Sequence, residues 1–203
     1  MQKSIDYYFW LNSDWAYLGA HRLDALADRL GVKVNYLPVD LPDVYRRTGG
    51  VLLGQRSPER QAYRVAELKR WCRELGMHVN PAPRYMCPDA DLASRLVIAA
   101  LREPAPITPL YTRILEAEWC EERDISDPEV LRDILRRAGY DAEALFQRAA
   151  QADIEAIYRR NTDAAVAAGV FGSPSYVFEG EVFWGQDRLD LLEKAIRLAS
   201  PAA

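Results

Sequence analysis

The chain has 203 residues, of which 49% are hydrophobic and 28% charged, and its formal net charge is -4. This is the composition of a soluble globular protein with a sizeable core. The absence of a basic excess argues against nucleic acid as a partner, and no apolar run reaches the roughly 18 residues of a membrane span.

The N-terminal MQKSIDYYFW runs directly into strand-like sequence without the apolar core of a signal peptide, so a cytoplasmic protein is expected. Cys72, Cys87 and Cys120 show no CxxC or metal-ligand spacing, and His21 and His78 lie far apart, so no metal site is expected. An odd, unpatterned cysteine count suits a reducing compartment.

Taken in order, residues 4–11 (SIDYYFWL) read as a buried strand, and residues 15–30 place Trp15, Leu18, Leu23, Leu26 and Leu30 near one helical face before Gly31. VKVNYLPVDL alternates as a second strand, which predicts a right-handed parallel βαβ unit. Residues 42–57, Gly-rich and polar, read as an irregular loop. Ser57-Pro58-Glu59 opens a helix to about Leu75. After the Pro-punctuated NPAPRYMCPD, further helices are expected at about 89–102, 107–121, 127–138 and, as one long element, 141–168. The last quarter predicts a hairpin of Ser175 to Phe178 and Val182 to Trp184 around Glu179-Gly180, then an amphipathic helix from about Asp187. Strand pairs divided by an all-helical block indicate an α/β core carrying a helical insertion.

Three places invite a chemical reading. Asn12-Ser13-Asp14 stands at the mouth of the first helix, where it is either a cap or an anion site, since helix N-termini stabilise thiolates. Ser173-Pro174 precedes a short strand and is either an ordinary trans turn or a cis turn that exposes backbone to an extended peptide. Asp187, after Trp184-Gly185-Gln186, is either a helix cap or a carboxylate for an ammonium group. The order βαβ, insertion, α-β-β-α with proline before its first strand is the thioredoxin pattern. Because Ser13 stands where redox members carry CxxC, dithiol exchange at that position is excluded.

At GVFGSPS (169–175) with FWGQDRL (183–189), the sequence resembles the 2-hydroxychromene-2-carboxylate isomerases, relatives of the kappa-class glutathione transferases within the DsbA-like branch of the thioredoxin superfamily. Arg60, Tyr63, Glu67, Arg70 and Trp71 resemble that family's KxxYxxxDxxRW helix, and Ser13 aligns with the serine of its DFxSPY motif. The resemblance implies a thioredoxin-like fold, with residues 1–41 and 161–203 as the thioredoxin-like domain and 42–160 as the helical insertion. It further implies glutathione as cofactor and a homodimer. Ser13 would hydrogen-bond the thiolate, Val170, Phe171, Gly172, Ser173 and Pro174 would form the turn beside the cysteinyl part, and Gln186 and Asp187 would hold the γ-glutamyl end. Arg60 or Arg84 would take the carboxylate of a small aromatic substrate. The implied reaction converts 2-hydroxychromene-2-carboxylate to trans-o-hydroxybenzylidenepyruvate. A kappa-like transferase and a non-catalytic thioredoxin-fold binding protein are the alternatives. Two positions depart from the family: Trp10 replaces its aspartate and Asp14 its proline. A carboxylate beside a thiolate raises the thiol pKa.

Overall fold

The computed structural model describes residues 3–199, so positions 1–2 and 200–203 of the expected outer segments lie outside the described residues. Strand β1 (Ser4–Phe9) leads through a four-residue turn into α1 (Asp14–Leu30) and then β2 (Lys33–Pro38). β1 and β2 pair in parallel from Ser4 opposite Lys33 to Phe9 opposite Pro38, the expected βαβ unit. After the helical stretch come β3 (Ser175–Phe178) and β4 (Glu181–Trp184). β3 runs antiparallel to both β1 and β4, giving a mixed sheet in the order β2-β1-β3-β4.

Alternation along β1 divides the core in two, because successive side chains leave opposite faces of a strand. Ile5, Tyr7 and Phe9 enter a large cluster with α1 residues such as Leu18 and Leu23, whereas Tyr8 joins Val39, Val44, Ala165, Val170 and Val177 on the other face. Tyr7 is the aromatic hinge of the first cluster, stacked on Phe9 at 4.6 Å and on Tyr176 at 5.2 Å between ring centroids. It thereby ties β1 to its antiparallel neighbour β3.

The intervening helices are α2 (Leu41–Thr48), α3 (Pro58–Leu75), α4 (Asp91–Ala100), α5 (Thr108–Trp119), α6 (Pro128–Arg137), α7 (Ala142–Ala149) and α8 (Ala152–Ala167). Two of these correct the sequence reading. Residues 41–48 form a helix and not irregular loop, with Asp40 accepting from Asp43 N–H at 3.1 Å as its cap. Eight residues are too few to hold a helix alone, so its stability comes from Leu41 and Val44 buried in the second cluster. The expected single helix at 141–168 is broken, because Gln151 is extended (ψ 143°) and starts α8 anew. Neither Gly nor Pro marks this break. Arg148 bridges it, donating to Gln151 Oε1 at 2.7 Å and to Asp153 Oδ2 at 3.0 Å. The chain ends through a short 3₁₀ turn, Gln186–Arg188, into α9 (Leu189–Ala199), whose Leu192 and Ile196 close the core over α1.

Candidate active site

The site forms where the head of α1 meets the turn before β3. Ser13 is the cap of α1, its Oγ accepting from Ala16 N–H at 3.2 Å. The same hydroxyl donates to the Ser173 carbonyl at 3.3 Å, and Trp10 N–H donates to Ser173 Oγ at 2.9 Å. The cap reading of the first motif therefore holds, and the capping hydroxyl also faces the proline turn. The Ser173–Pro174 bond is cis. Ser175 Oγ closes the turn by donating to the Gly172 carbonyl at 2.8 Å. A Cβ on Gly172 would lie 2.3 Å from Trp184 Nε1, so only glycine lets the turn lie against that indole. Trp184, half exposed, meets Phe171 edge-on at 4.8 Å, leaving an apolar lip beside the turn. Val170 is fully buried and anchors the segment from behind.

Asp14, the departure at the helix mouth, has a partner that the sequence does not announce. Its carboxylate pairs with Arg64 of α3, fifty residues away, and also accepts from Trp15 N–H at 2.8 Å. Arg64 in turn donates to the Pro81 carbonyl at 3.0 Å and lies over the Trp119 ring at 5.3 Å. Both side chains are more than nine-tenths buried. Burial pushes the Asp14 carboxyl above the ordinary range, while Arg64 pulls it back. The pair is electrically near neutral, which removes much of the repulsion that a lone carboxylate would exert on a thiolate. Beneath it, burial raises Glu118 to about 8, and its Oε1 accepts from Cys87 N–H at 2.8 Å. The Cys87 thiol is itself pushed up to about 12 by burial and by Glu118, so it remains protonated and is no nucleophile.

Over Ser13 opens a cavity of about 670 Å³ whose lining includes Trp10, Trp15, Leu53, Met86 and Trp119 beside the polar head of α1. Its cations are Arg56 and Arg64. Arg60 and Arg84, expected to meet the substrate, do not line it. Gln61 and Arg64, three residues apart, share the inward face of α3, which leaves Arg60 exposed in the first turn. Arg84 lies exposed over the ring of Tyr85 at 5.1 Å. Asp40 and Asp91 line this cavity and a smaller polar one of about 490 Å³, so they mark the wall where the two adjoin.

The implied cofactor can be tested against the chain. Among the described residues, neither Phe171 N–H nor Ser173 N–H donates to a backbone carbonyl, so the turn offers donors to an extended peptide. Ser13 supplies a hydroxyl at the end of the same turn. Gln186 is almost fully buried, held by Arg22, which donates to its side-chain oxygen and, at 3.3 Å, to its carbonyl; its Nε2 is buried without a partner. It therefore fixes the 3₁₀ turn that presents Asp187, which is exposed and, among the described residues, paired with its neighbour Arg188 at 2.8 Å. An exposed carboxylate, free turn donors and a hydroxyl fit a γ-glutamyl thiol peptide. Arg64, Arg56 and Tyr45 are what the sequence reading missed.

Relatives identify the family. The family model of the DsbA-like thioredoxin domain matches residues 4–197. A 2-hydroxychromene-2-carboxylate isomerase of Sphingobium xenophagum is 31% identical over 195 residues, spanning 95% of this chain and 97% of its own. One of Pseudomonas putida is 26% identical, spanning 95% and 93%. The solved structure of a 2-hydroxychromene-2-carboxylate isomerase superposes with a TM-score of 0.75 at 26% identity, over 96% of this chain and 95% of that one. A probable DsbA oxidoreductase of Streptomyces coelicolor matches with a TM-score of 0.78 at 20% identity, over 100% and 93%, and shows the shared fold alone. The serine-headed helix, the cis-proline turn and these relatives together make the chain a member of the DsbA-like thioredoxin family and, within it, of the 2-hydroxychromene-2-carboxylate isomerase family.

Proposed function

We propose that this protein is a glutathione-dependent isomerase of 2-hydroxychromene-2-carboxylate or a close analogue. The observation that carries the reading is the approach of the Ser13 hydroxyl to the Ser173 carbonyl in the cis Ser173–Pro174 turn, under an aromatic-walled cavity. Glutathione, when bound, supplies a thiolate able to add reversibly to an unsaturated carbon.

The chain's own groups prepare that chemistry. The Ser13 hydrogen bond to Ser173 is long at 3.3 Å, so the hydroxyl proton can turn to a sulfur at little cost. The partial positive charge at the head of α1 favours an anion there. Ser173 N–H and Phe171 N–H hold the peptide backbone, and Asp187 holds the ammonium group. Trp10, Trp15 and Trp119 shield the cavity from water and offer apolar faces to a fused aromatic ring. A kappa-like transferase would use the same groups, and product analysis separates the two.

One observation favours a binding protein without chemistry. The N–H groups of Trp15, Ala16 and Tyr17 already have partners within the turn, so fewer donors remain for a thiolate. The test is to titrate reduced glutathione calorimetrically and to follow 2-hydroxychromene-2-carboxylate by absorbance with and without it. Saturable binding with glutathione-dependent turnover supports the isomerase. Binding with no turnover and no depression of the thiol pKa supports the binding protein. Turnover independent of glutathione removes the cofactor from the account.

A further inference from the structure

We infer that Arg56 and Tyr45 together form a carboxylate clamp in the cavity over Ser13, and that this clamp, not Arg60 or Arg84, fixes the orientation of an aromatic carboxylate there. The inference deepens the isomerase reading and rests on it for the identity of the substrate class.

The two cavity arginines differ in what they have left to offer. Arg64 has a carboxylate partner, a carbonyl partner and a ring beneath it. Arg56 has no ion-pair partner among the described residues, yet its side chain is held in place. Its Nε donates to the Val51 carbonyl at 2.9 Å and its Nη2 to Tyr45 Oη at 3.3 Å. Its own carbonyl accepts from Gln61 Nε2 at 2.8 Å, tying the residue to the first turn of α3. Among the described residues Nη1 has no partner. Tyr45 accepts from Arg56, so its hydroxyl proton remains available. Burial keeps that phenol protonated at neutral pH. The ring is seated against Gly50, where a Cβ would lie 2.2 Å from Tyr45 Cδ1. Arg56 and Tyr45, joined by the Nη2–Oη hydrogen bond, both line the cavity, and each has a donor to spare. A carboxylate with two oxygens meets both.

The acidic groups facing the cavity add direction. Asp40, Asp89 and Asp91 each have one oxygen engaged locally, by Asp43 N–H at 3.1 Å, Asp91 N–H at 2.8 Å and Tyr158 O–H at 3.1 Å. Asp40 caps the start of α2, and Tyr45 lies five residues on, about 7.5 Å along the helix axis. An aromatic acid is repelled from the Asp40 wall and drawn toward Arg56. Its ring then lies among the tryptophans with its carboxylate away from the adjoining polar cavity.

The experiment measures binding of chromone-2-carboxylate and of its methyl ester to the whole protein by calorimetry, with glutathione titrated in parallel. The parent is expected to prefer the acid by about tenfold or more, the size of a charged hydrogen-bonded contact. Arg56→Ala removes the preference, Tyr45→Phe reduces it several-fold, and Arg56→Lys restores part of it. Arg60→Ala and Arg84→Ala leave it unchanged, and glutathione affinity is the same in all five variants. Retention of the preference in Arg56→Ala, its loss in Arg60→Ala or Arg84→Ala, or absence of any preference in the parent overturns the clamp. If the preference depends on Arg56 but no chromene turnover is seen, the clamp stands and the isomerase reading falls.

Discussion

The Asp14–Arg64 pair offers the sharpest test, because it joins the head of α1 to α3 through one buried contact. The side chains are 6% and 9% exposed, so water can replace neither partner once the other is removed. Breaking a buried pair on one side costs about 3–5 kcal/mol. For a chain of this length that lowers Tm by roughly 10 °C. Arg64→Met should cost more than Asp14→Asn, since Arg64 also donates to Pro81 and covers Trp119, whereas Asn can still accept from Trp15 N–H. The double variant Asp14→Asn/Arg64→Met leaves no buried charge and should cost less than the two singles together, with a coupling of about 2–3 kcal/mol. Urea unfolding of the four proteins at pH 7 measures it, and the coupling should persist in high salt because buried pairs are poorly screened. Function moves in opposite directions: Asp14→Asn leaves the arginine's charge uncompensated and should lower the pKa of a thiol bound at Ser13, while Arg64→Met should raise it. Additive single effects, or a thiol pKa indifferent to both changes, would refute the picture of Arg64 as the partner that makes Asp14 tolerable.

Three further outcomes are expected. Ser13→Ala should cost about 1 kcal/mol through loss of the cap and lower glutathione-dependent turnover about a hundredfold, the scale of one donor to a developing anion; stability and turnover measured together separate the two effects. Gly172→Ala forces a methyl into the Trp184 indole, so it should destabilise by about 1–3 kcal/mol and weaken glutathione binding, while wild-type affinity would show that the turn does not receive the peptide. Glu118, raised to about 8 by burial, is neutral in the folded state over a range where the unfolded chain ionises. Its contribution is therefore full below the ordinary carboxylate pKa and is lost as pH rises to about 8, with a slope of at most about 1.4 kcal/mol per pH unit. Glu118→Gln should flatten that fall in unfolding free energy, and an unchanged pH profile would show that Glu118 is not the group responsible.

What the sequence determined by itself is local or strictly periodic. The alternation of β1, the stripe of α1 with Gly31 behind it, and the Glu179-Gly180 hairpin are each decided by neighbours within a few residues, and each is found. The serine at the helix mouth and the proline turn were legible because caps and X-Pro bonds carry their chemistry in adjacent letters. Helix α2 and the break at Gln151 were not, since both are set by what packs against them: Leu41 and Val44 bury into a cluster built from β1, β3 and α8. The charge of the site belongs to the same class. Which arginine reaches the cavity follows from the rotation of α3 and from the path of residues 49–57. One position in sequence turns a helical side chain by about 100°, which separates exposed Arg60 from inward-facing Gln61 and Arg64. Asp14 looks like an obstacle in the sequence because its partner is fifty residues away, and only the folded chain brings Arg64 to it.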